Sequence, residues 1–177
     1  MHGIVSLLPE PASQQVQDLW RELAEEGLTG IRVTPYPHFS WQIGAQYPLE
    51  ALEDAFQALA ARTRPFSVST AGLGLFSGER PVLFIPLVKT APLMAFHRQV
   101  WHLLQPIGRG ISHYYAPDSW CPHISLAYDD LTRDNIGAVM RRLSFRSYNW
   151  QMNVNHLAYL HEDDGQIGEL RLKVDFS

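Results

Sequence analysis

The chain has 177 residues, 46% hydrophobic and 18% charged, with 14 lysines and arginines against 18 aspartates and glutamates for a net charge of −4. That balance suits one globular unit, or two fused halves sharing a core, and it argues against tight, sequence-blind binding of long nucleic acids, which depends on many phosphate contacts. Cys121 is the only cysteine, so no internal disulfide forms and a cytoplasmic location is expected; neither a signal peptide nor a membrane span is expected either.

In chain order, Ile4 to Leu8 reads as a buried strand. After Pro9 and Pro11, the residues Val16, Leu19, Trp20 and Leu23 share one face of a helix that should stop near Gly27. Residues 37–43 alternate as a strand, and Leu52, Ala55, Phe56 and Leu59 mark a second helix. Phe66 to Phe76 and Val82 to Leu87 read as two strands joined by the turn Ser77-Gly78-Glu79-Arg80. Thr90 is placed to cap a third helix, with Leu93, Phe96, His97, Val100 and Leu104 inward. A loop rich in Gly, His and Tyr (108–118) leads to a strand at 122–128. Thr132 is expected to cap a fourth helix carrying Ile136, Val139, Met140 and Leu143 inward, before two closing strands around 148–160 and 167–176.

This order contains an echo. A strand, a helix, a histidine-bearing strand and a helix occur once from residue 4 and again from residue 82. Within it, Pro37-His38-Phe39-Ser40-Trp41 returns as Pro122-His123-Ile124-Ser125-Leu126, the two histidines standing 85 residues apart. Period-two alternation puts His38, Ser40 and Gln42 on one face and Phe39, Trp41 and Ile43 on the other. His123, Ser125 and Ala127 likewise oppose Ile124, Leu126 and Tyr128. The expected architecture is an α+β fold in one bilobal domain over 1–177: two pseudo-symmetric lobes, antiparallel-rich sheets flanking a central cleft, and helices outside.

The paired motifs resemble those of the two-histidine phosphoesterase superfamily, which includes bacterial 2′-5′ RNA ligase-like proteins and cyclic phosphodiesterases. That family carries two His-x-Thr/Ser-x motifs in a bilobal α+β fold, and both copies here fit with serine at the third position. The resemblance implies that His38 and His123 are catalytic and that Ser40 and Ser125 bind the phosphate. It also implies a phosphodiesterase acting on 2′,3′-cyclic phosphates or 2′-5′ linkages of nucleotides or RNA ends, reversible as a ligase. One departure is visible: where the family often has a basic residue after the second motif, this chain has Ala127-Tyr128-Asp129-Asp130.

The side chains fit that chemistry on their own terms. An imidazole with a pKa of about 6.5 lets one neutral and one protonated histidine coexist near neutrality, one taking a proton and the other delivering one. Serine hydroxyls can donate to the non-bridging oxygens of an anion as charge develops. Which histidine is the base stays open. Either histidine alone would be read as a structural residue bonded to backbone; the pair with its serines points to catalysis. Tyr36, His113, Tyr115 and Trp120 are candidate substrate contacts, each equally readable as an ordinary aromatic of the fold. Arg80, Lys89 and Arg109 are candidate anion contacts whose default is solvated surface, while His97 and His102 read as packing and surface residues. Neither motif supplies a second metal ligand at short spacing, so neither a metal nor a cofactor is expected. A non-catalytic nucleotide- or RNA-binding module on the same fold is the alternative reading.

Overall fold

The computed structural model describes residues 2–28, 35–161 and 168–177. Its elements run β1 (His2–Leu7), α1 (Ala12–Glu25), β2 (His38–Gly44), α2 (Leu49–Ala60), β3 (Phe66–Ser69), β4 (Gly74–Phe76) and β5 (Val82–Pro86), followed by α3 (Ala91–Leu104), a 3-10 turn (His113–Tyr115), β6 (His123–Tyr128), α4 (Ile136–Leu143), β7 (Gln151–Val154), β8 (His156–His161) and β9 (Glu169–Asp175). The fold is α+β, and every strand pairing is antiparallel. Three sheets form, in the orders β2-β1-β8-β9, β3-β7 and β4-β5-β6. Among the described residues, no helix is long and apolar enough to cross a membrane.

The helices form where apolar residues recur at helical spacing. In α1, Ala12, Val16, Leu19 and Leu23 are buried. The helix ends as expected: Gly27 takes a left-handed φ of 85°, and the Leu28 and Gly27 amides return to the carbonyls of Leu23 and Ala24. Helix α3 buries the five predicted residues, and the Thr90 hydroxyl accepts from the Leu93 amide at 3.4 Å. Thr132, the expected cap of the fourth helix, stands three residues before the observed N-cap, Asn135. Its hydroxyl accepts from the Asn135 amide while the Asn135 side chain accepts from the Thr132 amide, so α4 starts only at Ile136.

Two predicted strands are each split between sheets. The expected strand 66–76 becomes β3, paired with β7, and β4, paired with β5. Thr70 causes the break: its buried hydroxyl donates to the Tyr148 carbonyl and accepts from the Trp150 amide, and Gly72 turns the chain through a φ of 68°. Likewise the expected strand 148–160 divides into β7 and β8 on either side of Asn155.

The repeat seen in the sequence is a repeat of backbone geometry. In the first half, Leu7 pairs with His38 and Val5 with Ser40, and then the register shifts so that Gln42 faces Ile4. In the second, Pro86 pairs with His123 and Phe84 with Ser125, and then Ala127 faces Leu83. One extra residue, Trp41 or Leu126, is thus inserted directly after each motif serine. Both proline carbonyls extend the ladders, accepting from the Leu8 and Leu87 amides at 2.9 Å. These matched registers agree with the expected pseudo-symmetric arrangement. Strands β2 and β6 each lie at the edge of their sheet, and they pack beside one another.

The bulges correct the expected faces. Gln42 and Ala127 follow Trp41 and Leu126 into the interior, at 0% and 1% exposure, and Gln42 accepts a 3.0 Å hydrogen bond from the Tyr47 hydroxyl. Ile43 and Tyr128, expected on the opposite side, return to the side of the histidines, because Ile43 pairs with Gly3 and Tyr128 with Val82.

The main core is continuous across both halves. At its centre the Trp120 ring stacks on His97 at 3.7 Å between centroids and on Trp41 at 5.4 Å, while Phe96 meets Trp41 edge-on at 5.0 Å. His97 is fully buried, its Nε2 reaching the Trp41 carbonyl at 3.2 Å, and burial pushes its pKa down to about 4. His156 is buried too, and burial again pushes its pKa down to about 4; its Nε2 accepts from the Leu7 amide at 3.0 Å.

Two expectations follow from this packing. Unfolded histidine takes up a proton near pH 6.5 while buried His97 and His156 resist it down to about 4, so stability is full above 6.5 and declines as pH falls towards 4. Each histidine should account for a loss on the order of 3 kcal/mol, which urea unfolding at pH 7 and pH 4 measures. The His156→Asn variant should show a shallower decline. Separately, a Cβ on Gly74 would sit 2.3 Å from the Phe84 ring, so Gly74→Ala should cost roughly 1–3 kcal/mol of unfolding free energy.

Candidate functional site

Both motif histidines are half-buried at the start of an edge strand and held in the same way. His38 Nδ1 lies 2.7 Å from the Tyr36 carbonyl, and His123 Nδ1 lies 2.7 Å from the Cys121 carbonyl. In each case the partner stands two residues earlier, across a proline whose extended backbone turns that carbonyl towards the ring. A carbonyl can only accept, so Nδ1 carries the proton in both rings and donates it. Each Nε2 is therefore left with its lone pair in the neutral ring, the atom that can take a proton from a reacting group.

Desolvation lowers the pKa of both rings from the ordinary histidine value. For His38 the Tyr36 hydrogen bond opposes the shift, and the nearness of His123 adds to it. For His123 the Cys121 hydrogen bond opposes it. Aromatic walls supply part of the desolvation around His123: Phe76 meets its ring edge-on at 5.0 Å between centroids, and Phe84 lies at 5.1 Å. Gly74 makes room for this, since the Phe84 ring occupies the place of its absent Cβ.

The serines follow their histidines on the same face of each strand. Each is also gripped from the other half of the chain. The indole N–H of Trp120, two residues before Pro122, donates to the Ser40 carbonyl at 3.0 Å. The indole N–H of Trp20, on α1, donates to the Ser125 carbonyl at 3.0 Å. Each clamp falls at the bulge, so the strand segment carrying one histidine and serine is positioned by a tryptophan belonging to the other motif's half.

Of the candidate contacts, the structure brings Tyr115 to the pair and removes Trp120 from it. Tyr115 lies in the 3-10 turn against β2, and desolvation pushes its phenol pKa up to about 12, with Ser40 opposing the shift. Trp120 has no exposed surface, so the expected substrate contact is corrected to a core residue that positions Ser40. Tyr36 contributes its carbonyl to His38 and packs its ring against the small cluster of Val5, Ala158 and Leu160. His113 is exposed, its ring tilted against that of Tyr114 at 4.2 Å between centroids.

Among the candidate cations, Arg80 forms an ion pair with Asp129 and lies 5.9 Å over the Tyr128 ring. A surface groove of about 630 Å3 lined by Arg62, Arg98 and His102 lies on the solvent side of α3 and includes no motif residue. Among the described residues, no group of three or more His, Cys, Asp or Glu side chains is placed to hold a metal ion.

Sequence reasoning missed Trp20, Phe76, Phe84 and Tyr128. Trp20 reads as one more apolar position on a helix, and the three β4–β6 aromatics read as buried strand residues until the bulge and the sheet order are known.

The crossed clamps carry a prediction. Trp120→Phe and Trp20→Phe each keep a six-membered aromatic ring but delete the pyrrole N–H, and each should lower unfolding free energy by at least about 1–2 kcal/mol, with cavity cost added at buried Trp120. In histidine ring NMR spectra, Trp120→Phe should move the His38 resonances and Trp20→Phe those of His123. A shift of the same-half histidine instead would break the crossed assignment.

Comparison with known proteins adds independent findings. A family model described as the 2′-5′ RNA ligase superfamily matches residues 8–166. Among solved structures, TT0787 of Thermus thermophilus superposes with a TM-score of 0.72 at 17% identity, over 99% of this chain and 97% of that one. E. coli LigT complexed with 3′-AMP gives a TM-score of 0.67 at 14% identity, over 99% and 97%. Kluyveromyces marxianus Usb1 gives 0.53 at 12% identity, over 99% and 98%. Comparison with curated proteins returned no match. A family model spanning most of the chain, on a fold shared end to end with these structures, assigns it: the chain belongs to the 2′-5′ RNA ligase superfamily, among the two-histidine phosphoesterases.

Proposed function

We propose that the protein is a metal-independent cytoplasmic phosphodiesterase that hydrolyses 2′,3′-cyclic phosphate or 2′-5′ phosphodiester bonds of nucleotides or RNA ends. The single observation that carries this reading is the matched pair of imidazoles, each with Nδ1–H tied to a carbonyl and Nε2 left as the working atom. Binding alone needs no acid–base couple. Nucleotide ligands in related structures support the substrate class: LigT was crystallised with 3′-AMP and the yeast Usb1 with uridine monophosphate.

In hydrolysis, one neutral Nε2 takes the proton of the attacking water, and the other imidazole, protonated, delivers its Nε2 proton to the departing ribose oxygen. Ser40 and Ser125 donate their hydroxyl protons to the non-bridging oxygens, where negative charge accumulates. With a ribose hydroxyl in place of water as the nucleophile, the same two proton transfers open a cyclic phosphate into a phosphodiester, and in the reverse of that step the two histidines exchange roles. His38 and His123 have equivalent geometry, so the substrate's orientation decides which is base and which is acid.

The test is a screen of the purified protein, with chelator present, against 2′,3′-cyclic mononucleotides, 2′-5′ dinucleotides and RNA ending in a cyclic phosphate. His38→Ala and His123→Ala should each lower kcat by about 10²–10⁴-fold with little change in thermal stability. Because desolvation lowers both imidazoles in the free protein, kcat/KM should trace a bell whose maximum lies below pH 6.5 and whose alkaline limb falls as the acid loses its proton. A profile flat from pH 5 to pH 8 would sink the mechanism.

A further inference from the structure

We propose that the outward face of α2 and α3 is a self-complementary docking surface whose partner is a second copy of this chain, the two copies related by a twofold axis. Helix α2 packs on β8 and β9, and α3 covers β2 from the side of Trp41, opposite His38 and Ser40. The surface is therefore separate from the motif histidines, and the inference goes beyond the phosphodiesterase reading.

Charge is unevenly distributed along the chain. It totals −4, yet residues 55–117 hold six lysines and arginines against one acid, Glu79. The fold gathers part of this excess. Arg62, just past α2, lines a groove of about 630 Å3 with Arg98 and His102 of α3, and no acidic residue stands in its walls. Ala95 and Leu103 give the groove an apolar floor. The exposed stripe of α2 beside it is acidic in its first half, at Glu50, Glu53 and Asp54, and continues through Gln57, Ala58 and Ala61.

These charges are not matched within the molecule. Arg21, Arg142 and Arg146 each meet an acid of this chain. Among the described residues, Arg62, Arg98, Glu50, Glu53 and Asp54 form no ion pair. The helix dipole accounts for Glu50 in the first turn of α2 and for Arg62 beyond its last, but it fades within one turn. Glu53, Asp54 and Arg98, which sits mid-helix in α3, lie outside that reach.

The spacing is self-complementary. Glu53 and Arg62 stand about 13 Å apart along the α2 axis, with Gln57 and Ala58 at their midpoint. A twofold axis through that midpoint lays two α2 helices antiparallel and sets the acidic half of each copy over the basic groove of its partner. Ala58 and Ala61 are small enough at the crossing for the helices to approach to about 8–10 Å. A nucleic acid strand would match the groove but be repelled by Glu50, Glu53 and Asp54 beside it. A second copy matches both zones at once.

Sedimentation equilibrium of the full chain tests this. At about 0.1 mM protein the wild type should be dimeric in about 0.01 M salt and dissociate in about 1 M, as the screening length falls from about 30 Å to about 3 Å. Arg62→Glu/Arg98→Glu and Glu53→Lys/Asp54→Lys should each weaken the dimer at least about tenfold. Thermal unfolding should stay unchanged in both, because all four side chains are exposed. An equimolar mixture of the two variants should dimerise again, since each carries the charge the other lacks. A wild type that stays monomeric in about 0.01 M salt, a dimer indifferent to both reversals, or a mixture that stays monomeric overturns the proposal. A monomeric wild type that binds single-stranded RNA without a cyclic phosphate, and loses it in Arg62→Glu/Arg98→Glu, reassigns the groove to nucleic acid. The phosphodiesterase reading is decided separately, by the substrate screen.

Discussion

Three stacked rings hold the two motif-bearing strands in fixed relation. Trp41 belongs to β2, Trp120 leads into β6, and His97 projects from α3 against both. Sheets normally fix strand separation through hydrogen-bonded ladders, but β2 and β6 lie in different sheets and share no ladder. Ring packing in a dense core supplies the constraint instead, and it is stiff because stacked aromatics cannot be displaced without opening a void. Burial keeps His97 neutral in that stack until the pH falls to about 4.

On that frame the hydrogen bonds are exchanged between halves. The indole of Trp120 holds the first motif through Ser40, and the indole of Trp20 holds the second through Ser125. Neither half orients its own serine by this means. Surface ion pairs repeat the pattern more weakly: Arg142 and Arg146, on and just after α4, reach Glu22 and Glu26 of α1 and its end. A site built this way forms only when both halves are folded together, which suits chemistry needing two proton-transfer groups at a set spacing.

The two histidines are alike in tautomer and backbone setting but differ in surroundings. His123 stands against Phe76 and Phe84, whereas the first-half sheet carries the cluster of Val5, Ala158 and Leu160, on which Tyr36 packs. The two rings are thus matched in their hydrogen bonding and unmatched in what surrounds them.

Much of this was legible in the order of residues, and the exceptions have physical causes. The helices, the strands bearing the motifs and the pairing of His38 and His123 with Ser40 and Ser125 follow from short-range periodicity and from a repeated string, which depend only on neighbours along the chain. The inward face of α3 was readable residue by residue for that reason. Where a strand breaks was not readable: Thr70 ends β3 by bonding to backbone nearly 80 residues away. Nor was the bulge after each serine, which sends Gln42 and Ala127 inward and brings Tyr128 to the histidines, because register is set by the partner strand. Trp120 looked like a ligand contact and is a core residue for the same cause, its indole finding a carbonyl 80 positions back. By itself, then, the chain determined the paired His-x-Ser motifs and the family they mark. Tertiary structure alone decided the protonated nitrogen of each histidine, what clamps each serine and what surrounds each ring, since each depends on atoms brought together by the fold.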